Sequence, residues 1–165
     1  MEFTIEIAQE SDEWDAHADV NQSLFSKITA DILSRYPNFA KIEQIELSIL
    51  LTDNAKISEL NKEFRGKNKP TNVLSFPDMQ INWQEIVEFP VDNEYMYLGD
   101  IAFGYQIIAD EALDKHISFE DHFKHLLIHA ILHLIGYDHV EEEDAKAMEN
   151  LEIDILHHFG ISSPY

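Results

Sequence analysis

Three histidines near the C-terminal end constrain this chain more than any other feature. They stand in the run His129-Ala130-Ile131-Leu132-His133-Leu134-Ile135-Gly136-Tyr137-Asp138-His139. His129 and His133 are four residues apart, so on a helix they lie one turn apart on one face. Gly136 permits the left-handed backbone that ends a helix. The chain can turn there and bring His139 back toward the other two. Any fold this sequence adopts must therefore deliver a helix end and a tight turn to one place. Three imidazoles then converge with no fourth side chain supplied. That is the arrangement of a catalytic zinc, whereas structural zinc sites close all four positions.

The spacing resembles the zinc-peptidase pattern H-E-x-x-H-x-x-G-x-x-H at every His and at the Gly. It departs at one position: Ala130 stands where the peptidase carries its general-base glutamate. The metal cage is kept and the peptidase's proton acceptor is missing. The plainer reading is a buried helix whose histidines are satisfied core residues. Three histidines at this spacing, with the glycine in place, favour the metal.

The chain contains no cysteine, which excludes disulfides, thiolate metal sites and thiol catalysis. Any metal must be held by His, Asp or Glu. At 165 residues one domain, 1–165, is expected. The N-terminus, Met1-Glu2-Phe3-Thr4-Ile5-Glu6, has neither the basic nor the apolar segment of a signal peptide. No apolar run is long enough to span a bilayer. A cytoplasmic, membrane-independent protein is the expectation.

The helical and strand periods alternate along the chain. Phe3, Ile5 and Ile7 set a strand over 2–8, and Trp14 to His17 fall in an acidic connector. A helix over 20–36 carries Val20, Leu24, Ile28, Ile32 and Leu33 on one stripe and stops at Pro37. Residues 42–52 form a second strand. Asn54 is expected to cap a helix through Phe64, with Gly66 just past its end. Val73-Leu74-Ser75-Phe76 is a short strand ended by Pro77. Residues 78–95 read as an acidic surface loop or loose hairpin, with Trp83 and Phe89 packed as a small satellite cluster. Another strand spans 96–103, and a helix covers about 105–114. Ser118 caps a helix that runs to about Ile135 and is apolar around much of its girth, hence buried. Burying its histidines has a desolvation cost that a metal offsets. A last helix spans 141–158, with Ala145, Met148, Leu151 and Ile155 on one stripe and Gly160 at its end. The expected architecture is α+β: a small mixed sheet of about four strands, packed with helices around a buried metal-binding helix.

The net charge of −21 opposes nucleic-acid binding taken as a whole, because phosphate neutralisation by Lys and Arg dominates such binding. The basic residues are not evenly spread, however: Lys62, Arg65, Lys67 and Lys69, four of the eleven, fall within eight residues. An acidic shell around one basic spot can accept a phosphate locally, repel bulk RNA and attract a basic protein. Guanidinium matches phosphate oxygens bidentately, so Arg65 is the candidate for a scissile phosphate. Spacing alone favours an exposed turn with solvated charges here.

Together the two stretches carry more. The run from His129 to His139 resembles H-G-x-L-H-L-x-G-Y-D-H. The segment Phe64-Arg65-Gly66-Lys67-Asn68-Lys69-Pro70-Thr71-Asn72-Val73-Leu74-Ser75-Phe76-Pro77 resembles Y-R-G-x-D-x-P-T-D-V-L-S-F-P. In that order they are the signature of the YbeY-type endoribonucleases, bacterial rRNA maturation factors. Leu98-Gly99-Asp100-Ile101 and Met148-Glu149-Asn150-Leu151-Glu152 extend the resemblance over most of the chain. It implies zinc, one ion per chain, on His129, His133 and His139, and a functional arginine at Arg65. It implies a single-strand-specific RNase acting at the 3′ end of small-subunit ribosomal RNA. The implied partners are that RNA, the small ribosomal subunit and a basic ribosomal protein, with no DNA and no membrane. The chain departs from the pattern at four positions. Ala130 replaces Gly, Phe64 replaces Tyr, and Asn68 and Asn72 replace two acidic residues.

On this reading Arg65 holds the scissile phosphate, and Lys62, Lys67 and Lys69 bind flanking phosphates. Asp138, beside a ligand, is expected to orient rather than to transfer protons. His125 is either an auxiliary group or a packed helix histidine. His17, His116, His157 and His158 are expected at the surface. Two other readings compete: a zinc peptidase, and a non-catalytic ribosome-binding module that the metal only stabilises.

Overall fold

Alternation builds the sheet. The computed structural model describes residues 1–91 and 94–165. In β2 (Gln44–Thr52), Ile45, Leu47, Ile49 and Leu51 are buried on one face, while Glu46 and Ser48 face the other way. β4 (Tyr95–Gly104) runs parallel to β2, with a register shift opposite Glu46 and Leu47. Leu98 is the extra residue there, which is how Met96, Ile101 and Phe103 reach the same core despite their uneven spacing. β1 (Glu2–Gln9) pairs parallel with β2, and β3 (Val73–Pro77) pairs antiparallel with β4, in the order β1-β2-β4-β3. The sheet is four-stranded and mixed, as expected. Ile7, expected inward, is 38% exposed, because β1 is an edge strand.

Five α-helices complete the fold among the described residues: α1 (Gln22–Leu33), α2 (Asn54–Arg65), α3 (Tyr105–Lys115), α4 (Phe119–Leu134) and α5 (Glu142–His158). The hydroxyl of Ser118 accepts from the Asp121 amide and starts α4. α4 packs on β3 and β4 and is flanked by α1, α3 and α5. That surround explains its apolar girth: Phe123, Leu127, Ile128, Ala130, Ile131 and Leu132 are all fully buried. α2 lies on the other sheet face, where Ile57 meets Leu74 and Ala102. Its cap is Asp53, not Asn54. Asp53 has the extended backbone of a cap and its carboxylate accepts from the Lys56 amide at 3.0 Å, which leaves Asn54 as the first helical residue. α1 is shorter than its hydrophobic stripe suggests. It starts after Asn21, whose side chain accepts from Leu24, and ends before a turn into the 3₁₀ segment Pro37–Lys41.

Two connectors hold more structure than their composition suggests. In the acidic connector, Asp12–Ala16 is a 3₁₀ turn that buries Trp14, whose indole donates to the Thr52 carbonyl at 3.1 Å. In the stretch expected as a loop or hairpin, Trp83–Glu88 is a 3₁₀ helix with Ile86 buried, and Trp83 and Phe89 join the main core rather than a satellite. Part of that stretch, 92–93, lies outside the described residues.

Phe123 is the aromatic centre of the core. Its ring lies 4.6 Å from that of Phe103, 5.7 Å from Trp14 and 6.1 Å from Phe25, which ties α4 to β4, the N-terminal connector and α1. Phe123→Ala is expected to lower stability by about 3–5 kcal/mol. Urea unfolding of the metal-free protein measures this; a loss below about 1 kcal/mol would mean that the rings around it repack freely.

Candidate metal centre

The three histidines converge as their spacing requires. His129 and His133 lie on the last turns of α4, and one ring nitrogen from each of His129, His133 and His139 falls within 4.8 Å of the others. The turn between them depends on Gly136, with φ +104°. A Cβ there would sit 2.0 Å from the Ile81 carbonyl oxygen, so the turn is pressed against the 78–91 segment. Asp138 accepts from the backbone amide of His139 at 2.7 Å, a bond that shapes the turn and does not reach the imidazole. Tyr137 anchors the turn from behind. Its phenol bonds that of Tyr36 at 2.6 Å and its ring stacks on Trp83.

Hydrogen bonds fix which nitrogens are free. The Tyr137 carbonyl can only accept, so the His133 Nδ1 that meets it at 2.8 Å carries the proton. The His129 Nδ1 donates to the Glu152 carboxylate at 2.6 Å. Both Nε2 atoms are then bare lone pairs in the neutral rings, and they face each other at 3.0 Å. Two lone pairs at that distance repel unless a cation lies between them. The donor set therefore fits a metal: three ring nitrogens within reach of one another, the tautomers of His129 and His133 fixed from behind, and a side open to the cleft. Burial foremost, with the neighbouring His129 and His139 rings, pushes the His133 imidazole down to about 4, so it stays in its ligating neutral form at pH 7.

Glu152, on α5, is the group that motif reasoning missed. It is fully buried and takes three donors: His129 Nδ1, His125 Nε2 at 2.9 Å and the Tyr165 hydroxyl at 2.5 Å. Burial alone would raise this carboxyl. The hydrogen bonds from His125, His129 and Tyr165 outweigh burial and hold it down at about 2. A signal existed: Met148, Glu152 and Ile155 share one helical stripe, which puts a carboxylate in the middle of an apolar face. His125 resolves the same way, as an auxiliary group on Glu152 rather than a ligand.

The site lies in an open cleft of about 1210 Å³. Arg65, Lys67 and Lys69 line it with the three histidines, whereas Lys62, one turn back on α2, does not. Arg65 is exposed, with its guanidinium donating to the Ser75 carbonyl at 2.8 Å and lying 5.1 Å from the Phe76 ring centre. No carboxylate pairs with it among the described residues. Asn72 donates to Glu111 at 2.9 Å and accepts from the Val73 amide, so the amide holds the loop where an acid would face Glu111 as a like charge. Ala130 is fully buried and does not line the cleft. His116, His157 and His158 are exposed as expected. His17 is not: it bonds Glu120 at 2.7 Å and the Tyr105 hydroxyl at 3.0 Å, and stacks on Phe119, because the connector folds over the start of α4.

The family profile described as Endoribonuclease YbeY matches residues 8–160. The chain belongs to the YbeY endoribonuclease family. An Endoribonuclease YbeY from Francisella philomiragia is 36% identical over 151 residues, covering 92% of this chain and 90% of that protein. A solution structure of a Thermotoga maritima protein shares the fold at a TM-score of 0.56 and 23% identity, over 95% of this chain and 92% of that one. In metal sites generally, outer carboxylates that hold a ligand histidine carry 10–100-fold in metal affinity, so Glu152→Gln is expected to weaken metal binding at this centre by about that factor. Chelator competition at pH 7 measures it; an unchanged affinity would mean that Glu152 serves α5 packing alone.

Proposed function

We propose that this chain is a zinc-dependent, single-strand-specific endoribonuclease that matures ribosomal RNA at the small-subunit 3′ end in the cytoplasm. Membership of the YbeY family supports the nuclease activity. The observation that carries the metal dependence is the pair of bare Nε2 lone pairs facing each other in the cleft that Arg65 also lines. Cytoplasmic action is in keeping with the lack of any described helix long and apolar enough to cross a membrane.

His129, His133 and His139 would hold the zinc. Bound there, it supplies Lewis acidity and a position open to the substrate. Glu152 contacts Nδ1 of His129, the edge of the ring away from the lone pair, so it orients the ligand and is not the proton acceptor at the reacting atoms. Among the described residues no carboxylate pairs with Arg65, which suits it to hold the scissile phosphate and to offset the charge that develops on it. Lys67 and Lys69 bind flanking phosphates in the cleft, and Lys62 meets RNA only outside it. The acidic remainder of the surface disfavours DNA and bulk RNA and suits a basic ribosomal protein on the small subunit. A peptidase reading needs a base beside the first ligand, and Ala130 is buried away from the cleft.

Purified, zinc-assayed wild type and Arg65→Ala, prepared identically, are compared on an end-labelled single-stranded ribosomal RNA fragment. The substitution is expected to cut the rate by about a hundredfold, the scale of losing one charge-stabilising donor, with zinc retained. Equal rates in the two preparations would point to contaminating nuclease and leave intrinsic cleavage unsupported. His133→Ala is expected to lose zinc and activity together, as read by metal analysis beside the same assay.

A further inference from the structure

Tyr165 is oriented the reverse of the usual way. A tyrosine normally packs its ring and leaves its hydroxyl wet. Here the hydroxyl donates to the fully buried Glu152 carboxylate at 2.5 Å, while the residue remains 61% exposed. Its ring stands perpendicular to that of His125 at 5.7 Å between centroids, and it lines the cleft that holds the metal ligands and the Arg65 loop. The polar end is used inward, so what Tyr165 offers the cleft is aromatic surface. An exposed ring pinned at its far end loses little freedom when a flat ligand lies on it.

We propose that Tyr165 is a stacking platform for one nucleobase of the bound RNA strand. This rests on the ribonuclease reading and deepens it. Arg65, Lys67 and Lys69 line the same cleft and suit phosphates, so a strand can run its backbone along the loop and lay a base on Tyr165. Stacking on a single ring reads no base edge and accepts any of the four bases. It requires a base free of its duplex partner, because a paired and stacked base cannot be splayed onto a side chain. The platform thereby gives a physical reason for a single-strand preference that the cations alone, which serve any phosphate backbone, do not provide.

The test is binding of a fluorescent single-stranded RNA oligonucleotide, and of the same oligonucleotide built from abasic nucleotides. Zinc-loaded wild type, Tyr165→Phe and Tyr165→Leu are used on ice, with RNA integrity checked on a gel and zinc content and thermal unfolding compared. Tyr165→Leu is expected to bind the normal strand at least about fivefold more weakly, the low end of one base–aromatic stack. Tyr165→Phe keeps the ring but loses the hydroxyl that pins it, so its loss should be clearly smaller than that of Tyr165→Leu. On the abasic strand the three proteins should bind alike. The proposal is overturned if Tyr165→Leu binds the normal strand like wild type, or if its defect persists on the abasic strand. A Tyr165→Phe defect as large as that of Tyr165→Leu also overturns it, since the hydroxyl and not the ring would then matter. If wild type binds neither strand, the ribonuclease reading itself fails, and the platform with it.

Discussion

A single buried carboxylate organises the working end of this protein. Glu152 is fully enclosed, and an unpaired anion in that position would cost several kcal/mol. It is tolerated because three donors from two other parts of the chain converge on it: His125 and His129 from α4, and Tyr165 from the segment after α5. The same contacts that make the burial possible also fix the His129 ring. Its Nδ1 is committed as a donor, so its Nε2 is left as a lone pair pointing away from the carboxylate. Packing of α5 on α4 and preparation of a candidate metal ligand are thus one interaction. The choice of Glu rather than a hydrophobe on that stripe trades core stability for ligand geometry.

The other two ligands are held by different means. His133 gains its tautomer from a backbone carbonyl, that of Tyr137, in the turn that also carries His139. That turn is stiffened from outside by Ile81 against Gly136, Trp83 against Tyr137, and Tyr36 against the Tyr137 hydroxyl. The 78–91 segment is therefore part of the site's support, although it contributes no ligand. Closeness explains the glycines here and in β4. At Gly99, a Cβ would lie 2.2 Å from the Phe76 carbonyl oxygen and 3.1 Å from Leu134, which marks where β3 and the end of α4 press on the sheet.

Much of this was legible in the sequence because the relevant signals are local. Helical spacing gave His129 and His133, the glycine gave the turn to His139, alternation gave the first two strands, and short apolar runs gave the other two. What stayed hidden depends on contacts between distant segments. Glu152 acts on α4 from 23 positions beyond His129. Its place on an apolar stripe and at the end of the Met148–Glu152 run marked the residue but not its role. Trp14 and His17 sit in an acidic connector whose composition says surface. Trp14 is buried and His17 half-buried because the connector covers the start of α4, which no local pattern records. The Asp53–Asn54 cap was ambiguous for a simpler reason: two capping residues stand side by side, and only the backbone conformation decides between them. Lys62 belonged to the basic cluster in sequence and left it in space, because helix geometry turned it away from the wall that Arg65 and the loop share.

The charge distribution gives the cleft a character that net charge conceals. With 32 acidic and 11 basic residues, the molecule as a whole repels polyanions. Repulsion from the shell and attraction by the loop act over different distances, however. At physiological salt, charges more than about 8 Å away are largely screened, while Arg65, Lys67 and Lys69 act at contact. A nucleic acid that only grazes the surface meets the acidic field and no compensating contact. A single strand seated in the cleft meets the loop and leaves most of the acidic surface beyond the screening length. Selection for a strand that can enter is thus built into the electrostatics. A basic protein would experience the opposite field, drawn to the acidic surface and repelled by the loop.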